Sequence, residues 1–547
     1  MGEKVIRTSR VLAAIAVVGA MALATTTGVA SANNQSSGRR AASGGDITFG
    51  LEAESNSFCT TKAQLAISGI QVVAAVYDTL TVPNEKGLSV PYLAKSVTPN
   101  SDFTIWTIGL RDGVKFHDGS PVDAAAIKAN LDSFRGAAGA ANVGSLLPIV
   151  LSFMQDVTVT DPTTVTVTLN TPVSAFADYL YLTGRMGIMA PAQLNSENCA
   201  TDLIGSGPFK FVSQSPNEKL VVAKNANYWQ KGYPKADQIT FVPVPDSAVR
   251  VNQLKGGQLD MLHTSGATDI DTLKNDSSVN TLIQKPGYRE IRYYAMLSDS
   301  APFNNPEARL AFSLALDRKK INAIQNKGLF TQANGLMDVK APGYLKNAGY
   351  PKFSLTKAKA LVTKVKAANG GAFDVILGTT TDPSNTAEAQ LLQEQLKAAG
   401  IEATIAQYDQ ATLINKALAG DIDVLFWRNL HGGYSNSSDA DNYPWWSNYN
   451  TPAGKKNFIN FSRFDDTATQ DDLTKGRSES TVSAAKTTYT AFNKAFAAGN
   501  YILPGWYINW TIASQKSVSV NLPALPDGKG KPLFVYGRIP VLGLSSK

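Results

Sequence analysis

Residues 373–427 read FDVILGTTTDPSNTAEAQLLQEQLKAAGIEATIAQYDQATLINKALAGDIDVLFW, and this stretch decides the fold class. Its three apolar runs, FDVILGTT, IEATIAQY and IDVLFW, predict strands. The segments between them predict two helices, one that Asn385 caps and Gly400 ends, and one over residues 412–419. Such alternation of strands and helices is typical of a parallel sheet with right-handed crossovers, so we expect an α/β protein. Ligands of such sheets bind beyond the carboxyl ends of the strands.

The segment at the end of the last strand is therefore the first place to look for a ligand site. It reads WRNLHGGYSNSSDADNYPWWSNYN over residues 427–450 and shows no obvious secondary structure. A loop of this length is usually functional or disordered, and its aromatic content favours function. Arginine can bind a carboxylate, aspartate can bind an ammonium, and the rings can hold flat or apolar groups, although packing of the core explains each ring equally well. The ligand-binding residues predicted here are Trp427, Arg428, Asn429, Tyr434, Asp439, Asp441, Tyr443, Trp445 and Trp446.

Length and composition describe a large globular chain. Its 547 residues exceed one ordinary core, so two or more lobes are expected. Hydrophobic residues make up 44% and charged residues 17% of the chain, which excludes a disordered chain and one that lies wholly in a membrane. The formal net charge is +7, but no stripe of lysine and arginine with interleaved aromatic residues is present, so no nucleic acid partner is expected.

The first residues resemble an export signal. Lys4, Arg7 and Arg10 precede an apolar run over residues 11–24, and small residues follow at Ala30-Ser31-Ala32. This order predicts a signal peptide over residues 1–32 and a polar, flexible leader over 33–45, with an uncleaved membrane anchor as the alternative. We therefore expect an exported protein of the periplasm, cell envelope or extracellular space. No cysteine stands near the cleavage region, so no lipid attachment is expected.

Cys59 and Cys199 are the only two cysteines of the chain. In an oxidising compartment an isolated pair is more often bonded than free, so we expect a disulfide between them. Two buried, unpaired thiols are the alternative.

Motifs for catalysis are missing from the sequence. No G-x-S-x-G elbow, P-loop, H-E-x-x-H or C-x-x-C is present, and His117, His263 and His431 lack the spacing of metal ligands. We therefore expect no catalytic residue, no metal and no cofactor. The two carboxylates of a glycosidase can lie far apart in sequence, so an exported hydrolase stays open as an alternative.

His117 lies in a stretch, GVKFHDGSPVDAAAIKANLDSF over residues 113–134, where a His-Asp pair stands beside a serine. Each residue type there also has a structural use. Val114 and Phe116 suit a strand, Asp118 and its glycine suit a turn, and Asp123 suits the cap of the following helix. We therefore predict that His117 belongs to the scaffold.

Three blocks of the sequence resemble a known family. The first runs from VYDTL to LRDGVKFHDGSPVDAAAIKANLDSF within residues 76–134, the second begins with GSGPFKFV at 205–212, and the third is NNPEARLAFSLALDRKKI at 304–321. Together, and in this order, they are similar to the solute-binding proteins of peptide-type and nickel-type ABC importers, solute-binding protein family 5.

The resemblance implies a two-lobed, periplasmic-binding-protein-like (type II) fold, with an extra α+β subdomain in the first lobe and a ligand cleft between the lobes. The boundaries that it suggests are 46–292 for lobe I, about 84–200 for the inserted subdomain, 293–506 for lobe II and 507–547 for a return segment. It further implies a monomeric receptor, without enzymatic activity, that delivers its solute to an ABC permease heterodimer driven by cytoplasmic ATPases.

The identity of the solute stays open at this point. The residue types after Trp427 suit a short peptide or a similar small solute, whereas the tryptophans also suit an oligosaccharide. Glu54 and Asn56, which follow the first predicted strand, are the candidate ligand-binding residues from the opposite lobe.

Overall fold

The computed structural model of the chain describes residues 44–429, 437–448 and 458–547. The predicted signal peptide lies outside these residues, and so does the predicted leader apart from its last two positions. In the described ranges, no helix combines the length and the apolar character that a membrane span requires.

The stretch at 373–427 forms the expected parallel strands, which confirms the α/β class. They belong to a five-stranded sheet of β13 (Ile291–Met296), β14 (Asp374–Thr380), β15 (Glu402–Tyr408), β16 (Val424–Asn429) and β17 (Ile502–Tyr507), in the order β15-β14-β16-β13-β17. Strand β14 is parallel to both β15 and β16, whereas β13 is antiparallel to its neighbours β16 and β17. The carboxyl ends of β14, β15 and β16 therefore lie at one edge of this sheet.

Helices α11 (Pro383–Ala399) and α12 (Gln410–Ala419) connect these parallel strands. The prediction that Asn385 caps the first of them is wrong. The Asp382 side chain accepts hydrogen bonds from the backbone N–H groups of Ser384 and Asn385, because Pro383 occupies the first helical position. Asp409 caps α12, which begins two residues earlier than expected.

A seven-stranded sheet contains the amino-terminal strand and the strand that follows β17. Its members are β1 (Asp46–Leu51), β8 (Phe209–Ser215), β9 (Lys219–Lys224), β10 (Gln238–Pro243), β11 (Met261–Thr264), β12 (Val279–Ile283) and β18 (Thr511–Gln515), in the order β12-β18-β11-β1-β10-β9-β8. Strand β1 is parallel to β10 and β11, so their carboxyl ends also share one edge. The chain passes from this sheet to the five-stranded sheet after β12 and returns after β17.

A four-stranded antiparallel sheet lies between α1 (Ile67–Val76) and β8 in the chain and has a separate hydrophobic core. Its strands are β4 (Ala94–Pro99), β5 (Ile105–Leu110), β6 (Met154–Asp161) and β7 (Thr164–Leu169), in the order β4-β5-β7-β6. Helix α2 (Ala124–Arg135) begins after an Asp123 cap, as predicted. The strand expected around Val114 and Phe116 is reduced to a single bridge between Lys115 and Pro121. Two further pairs of short strands are present: β2 (Thr81–Pro83) pairs with β3 (Ser89–Pro91), and β19 (Val518–Val520) pairs with β20 (Leu544–Ser546).

The remaining helices cover the sheets. They are α1 (Ile67–Val76), α3 (Leu147–Val150), α4 (Phe176–Tyr179), α5 (Pro191–Leu194), α6 (Ser247–Lys255), α7 (Ala267–Lys274), α8 (Pro306–Ala315), α9 (Arg318–Gln325), α10 (Leu355–Ala368), α13 (Asp439–Trp446), α14 (Thr467–Ser478) and α15 (Val482–Gly499).

Helix α13 corrects the prediction that the segment after Trp427 lacks secondary structure. Its sequence, DADNYPWW, consists largely of residue types with low helix propensity and includes Pro444, so neither composition nor periodicity indicated a helix.

A disulfide joins Cys59 and Cys199, whose Cα atoms lie 5.2 Å apart. It connects the segment before α1 to the segment after α5 across a sequence separation of 140 residues.

Candidate binding cleft

A cavity of about 600 Å³ lies where the strand ends of the two large sheets meet. Residues after β1 and β11 line it from the seven-stranded sheet, and residues in or after the last positions of β14, β15 and β16 line it from the five-stranded sheet. This is the place that parallel-sheet topology assigns to ligands, at the carboxyl ends of the strands. Its volume falls in the range of small-molecule sites, about 300–1,000 Å³.

Six of the predicted ligand-binding residues line the cavity. Glu54 and Asn56 contribute from the side of β1, and four residues contribute from the end of β16 and from α13: Trp427, Arg428, Asp441 and Trp445. The segment chosen from the sequence thus reaches the cavity together with residues from the other sheet.

Three predicted residues have other surroundings and are not among the residues that line the cavity. Trp446 is 1% exposed and its ring packs against Tyr293 and Phe496. Asp439 is fully buried, and Tyr443 stacks against a guanidinium of the following helix. Of the two other predicted residues, Asn429 ends β16 with a side chain outside the described part of the chain, and Tyr434 lies wholly outside it.

Arg428 bridges the two sheets across the cavity. Its guanidinium forms an ion pair with Glu52, which follows β1, and donates a hydrogen bond of 2.6 Å to the Ser265 hydroxyl, which follows β11. The guanidinium also lies 4.7 Å from the ring centroid of Trp510. A solute carboxylate at this position would therefore share Arg428 with the carboxylate of Glu52.

Glu52 was missed by the sequence analysis, although it stands two residues before the predicted Glu54. Burial alone would raise the pKa of Glu52, but the positive charges of Arg428 and Arg250 outweigh burial and hold the pKa below its ordinary value. Glu52 is thus ionised at neutral pH. Only the fold brings these arginines, about 200 and 370 residues later in the chain, close to it.

A second ion pair, between Arg292 of β13 and Glu388 of α11, lines the cavity on the side of the five-stranded sheet. Two parallel hydrogen bonds of 3.0 and 2.8 Å connect the guanidinium to the carboxylate. The Tyr294 hydroxyl donates a further bond of 2.8 Å to Glu388, and Asn385 accepts one of 3.2 Å from Arg292. The pair is buried, so it forms a rigid wall of the cavity. Arg292 was not among the predicted residues, because no local pattern in the sequence of β13 indicates its distant partner Glu388.

Carboxylates with neutral partners also face the cavity. Glu54 accepts hydrogen bonds from the Gln214 amide and the Asn217 backbone N–H, at 3.0 and 2.6 Å. Asp382 caps α11, and burial together with the charge of Glu52 raises its pKa. Among the described residues, neither carboxylate has an ion-pair partner within 4.0 Å. A solute cation can approach both.

Apolar and aromatic side chains complete the lining. Leu146, Leu147 and Val150 come from the part of the chain between α1 and β8, which holds the four-stranded sheet and which we call the inserted region, and Trp445 comes from α13. The Trp427 ring meets Phe461 edge-on, with 5.1 Å between ring centroids. The cavity therefore offers both charged groups and an aromatic surface, an arrangement that can hold a solute with polar ends and an apolar or flat body.

His117 lies away from the cavity and holds the chain at Gly205 and Gly207. Its Nε2–H donates to the Gly207 carbonyl at 2.9 Å, and its Nδ1 accepts from the Gly205 backbone N–H at 3.3 Å. Burial lowers the pKa of His117 to about 4, so the ring is neutral at pH 7. These contacts are those of a scaffold residue. In the described ranges, no group of three histidine, cysteine, aspartate or glutamate residues is arranged to hold a metal ion.

The cleft between the strand ends of two α/β sheets defines the class of this protein, which is a type II periplasmic binding protein. The family model of bacterial extracellular solute-binding proteins, family 5 Middle, matches residues 89–455. The chain belongs to this family, as its three sequence blocks imply.

Curated relatives and solved structures agree with this assignment. The glutathione-binding protein GsiB of Escherichia coli K12 is 30% identical over 320 residues, which are 58% of this chain and 60% of the relative. The chain thus matches about three fifths of the length of these relatives. The structure of AgaA from A. tumefaciens R10 in complex with agropinic acid is 26% identical, covers 92% of this chain and 99% of its own, and has a TM-score of 0.78.

A third similarity concerns the fold alone. The periplasmic binding protein DppA from Helicobacter pylori, solved with the peptide STSA, is 20% identical, covers 92% of this chain and 98% of its own, and has a TM-score of 0.79.

Proposed function

We propose that this protein is the exported receptor of an ABC importer and captures a short peptide or a similar small solute in the cavity. The observation that carries the proposal is the cavity of about 600 Å³ lined from both large sheets. A solute there contacts both sides at once, which is the condition for a solute to favour closure of the cleft.

The proposal includes how the molecule is divided and what it works with. Lobe I comprises residues 46–292 with the inserted subdomain at about 84–200, lobe II comprises 293–506, and residues 507–547 return to lobe I. The receptor acts as a monomer, catalyses no reaction, and delivers its solute to a permease heterodimer with cytoplasmic ATPases. A signal peptide over residues 1–32 directs its export.

The charge pattern of the cavity supports a zwitterionic solute. Arg428 and Arg292 present guanidinium groups, while Glu54 and Asp382 present carboxylates without an ion-pair partner among the described residues. A short peptide has an ammonium and a carboxylate at its two ends and can use both kinds of group. Glutathione, which the curated relatives bind by name, is itself a short peptide.

An oligosaccharide is the second candidate, and the aromatic lining favours it. Trp427 and Trp445 both line the cavity, and indole rings stack well on the apolar face of a sugar ring.

A thermal-stability screen distinguishes these candidates. Purified protein is melted alone and with trialanine, glutathione or maltotriose. A solute that binds only the folded protein stabilises it by about 2.7 kcal/mol at a concentration of 100 Kd. We expect trialanine or glutathione to raise the melting temperature and to be recovered intact. Stabilisation by maltotriose alone would favour the sugar receptor, and consumption of any stabilising compound would contradict both receptor functions.

A further inference from the structure

A cluster of side chains outside the cavity connects α13 to the inserted region. We call it the Arg477 cluster and define it as Phe153, Tyr179, Asp439, Tyr443 and Arg477. Four of its members are buried, with the side chains of Arg477 and Asp439 exposed by 5% and 0%, and Tyr443 is partly buried. None of the residues predicted from the sequence pointed to Arg477, and the cluster explains why Asp439 is absent from the cavity lining.

The geometry of the cluster centres on the Arg477 guanidinium. Its Nε lies 3.5 Å from Asp439 Oδ1. The guanidinium carbon lies 3.8 Å from the ring centroid of Tyr443 and 4.4 Å from that of Phe153. The Tyr179 hydroxyl donates a hydrogen bond of 2.8 Å to Asp439 Oδ2. One cation is thus held by a carboxylate and by rings from two separate parts of the chain.

Those two parts are attached to different sheets. Phe153 and Tyr179 belong to the inserted region, which leaves the chain after α1 and rejoins it before β8 of the seven-stranded sheet. Asp439, Tyr443 and Arg477 belong to α13 and α14, which lie between β16 and β17 of the five-stranded sheet. The Arg477 cluster therefore joins the side of the seven-stranded sheet to the side of the five-stranded sheet. The cavity lies between the same two sides, and we call the boundary between them the division.

Further contacts cross that division nearby. The Ser174 backbone N–H donates to the Arg477 carbonyl oxygen at 3.0 Å, and the Ser174 hydroxyl donates to the Glu479 carbonyl oxygen at 2.8 Å. Ala440 of α13 is buried in the core of the four-stranded sheet, and Trp445 packs against the same core. Helix α13 thus packs on the inserted region and also lines the cavity.

We propose that Arg477 is a positioning residue, which fixes α13 against the inserted region and so stabilises the closed cleft even without solute. It acts through Asp439 and Tyr443 on the helix that brings Asp441 and Trp445 to the cavity. The inference rests on the proposed function in one respect, namely that the two sheets separate when the cleft opens. Opening of the cleft would remove Tyr179 and Phe153 from the ion pair and expose its charges to water. These contacts therefore stabilise the closed arrangement and not the open one.

Spin labels on the two sides of the division test the proposal without any solute. The only native cysteines are joined in the disulfide, so cysteines introduced by Val159→Cys and Val482→Cys can be labelled selectively. Both positions are exposed, one in β6 and one at the start of α15. Pulsed dipolar spectroscopy on solute-free protein then measures the fraction of molecules with the short distance of the closed cleft.

We expect the solute-free protein to show a distinct short-distance population. Tyr179→Phe removes only the hydrogen bond to Asp439, and we expect it to lower the ratio of closed to open molecules about fivefold. Arg477→Lys keeps the charge but loses the planar stacking surface, and we expect a decrease in the same direction. Tyr350→Phe is the matched control, because Tyr350 is buried and its hydroxyl has no hydrogen-bond partner in the described part of the chain; its distances should not change.

Two results would overturn the proposal. One is a solute-free protein without the short distance, and the other is a Tyr179→Phe protein with the distances of the unchanged protein. The second test stands even if Arg477→Lys does not fold. A failure of all solutes in the thermal screen would count against the proposed function but would leave these distances unaffected, so the two failures are distinguishable.

Discussion

Arg428 lies where a solute carboxylate and the Glu52 carboxylate would compete for one guanidinium. Because Glu52 follows β1 and Arg428 ends β16, their ion pair already connects the two sheets without a solute. An incoming carboxylate would gain less from Arg428 than from a free guanidinium, whereas an ammonium could approach Glu54 and Asp382, which have no ion-pair partner among the described residues. We therefore expect shape and ring contacts to contribute much of the affinity, and Trp427 is the residue at which to measure this contribution.

We expect Trp427→Ala to weaken solute binding at least tenfold, which corresponds to about 1.4 kcal/mol, because it removes a ring that lines the cavity and contacts Phe461. Isothermal titration with the stabilising solute measures the change. His117→Ala is the matched comparison, since it removes contacts of the scaffold and should lower the melting temperature while the affinity of the folded protein stays the same. Unchanged affinity in Trp427→Ala would remove this ring from the site.

Asp78 offers a test of burial at the residue scale. Its carboxylate is buried and accepts hydrogen bonds from the Tyr228 hydroxyl at 3.0 Å, the Trp229 indole N–H at 2.9 Å and the Ser206 hydroxyl at 3.2 Å. Burial raises the pKa of Asp78 to about 7 from 3.8, although these hydrogen bonds oppose the shift. Folded protein thus keeps this proton to a higher pH than unfolded protein does.

Asp78 should accordingly stabilise the fold below about pH 4 and lose this contribution as the pH rises to about 7. Asp78→Asn removes the titration, so the free energy of unfolding of the variant, minus that of the unchanged protein, should increase by up to about 4 kcal/mol over this window. Burial of His117 and His263 gives the opposite slope over the same range, since burial lowers the pKa of each to about 4. That slope is common to both proteins and cancels in the difference. A difference that is flat with pH would contradict the shift.

At the scale of elements, sequence periodicity was sufficient to predict the strands of the parallel sheet but insufficient to predict which residues form the cleft. Strands β14, β15 and β16 are apolar runs bounded by turn residues, so their pattern alone predicts them. Helix α13 escaped prediction because tertiary contacts, rather than propensity, hold residues such as Pro444 in a helix. The pairs Glu52 with Arg428 and Arg292 with Glu388 join residues that are far apart in sequence, and no local pattern can indicate such partners.

Asp382 forms the amino-terminal cap of α11 and also lines the cavity. We expect Asp382→Ala to lower the free energy of unfolding by about 1 kcal/mol, because the N–H groups of Ser384 and Asn385 lose their acceptor. Asp382→Asn keeps an acceptor and removes only the charge, so it should cost much less. Urea unfolding of both variants checks this order. Equal losses in the two variants would show that charge, and not capping, is the contribution of Asp382.

At the scale of the whole molecule, a solute favours closure only if it binds the closed form better than the open form. The cavity meets this requirement geometrically, since its lining comes from the strand ends of both sheets. The Arg477 cluster and the pair of Arg428 with Glu52 add contacts across the same division. Any free energy by which these contacts favour the closed form reduces the free energy that a solute must supply for closure.

A crystal structure of the protein with its stabilising solute decides whether the cavity is the binding site. We expect density for the solute in the cavity, in contact with Glu52 or Glu54 on the side of the seven-stranded sheet and with Trp427 or Arg428 on the side of the five-stranded sheet. A solute bound elsewhere, or one that contacts residues of a single sheet, would contradict this expectation.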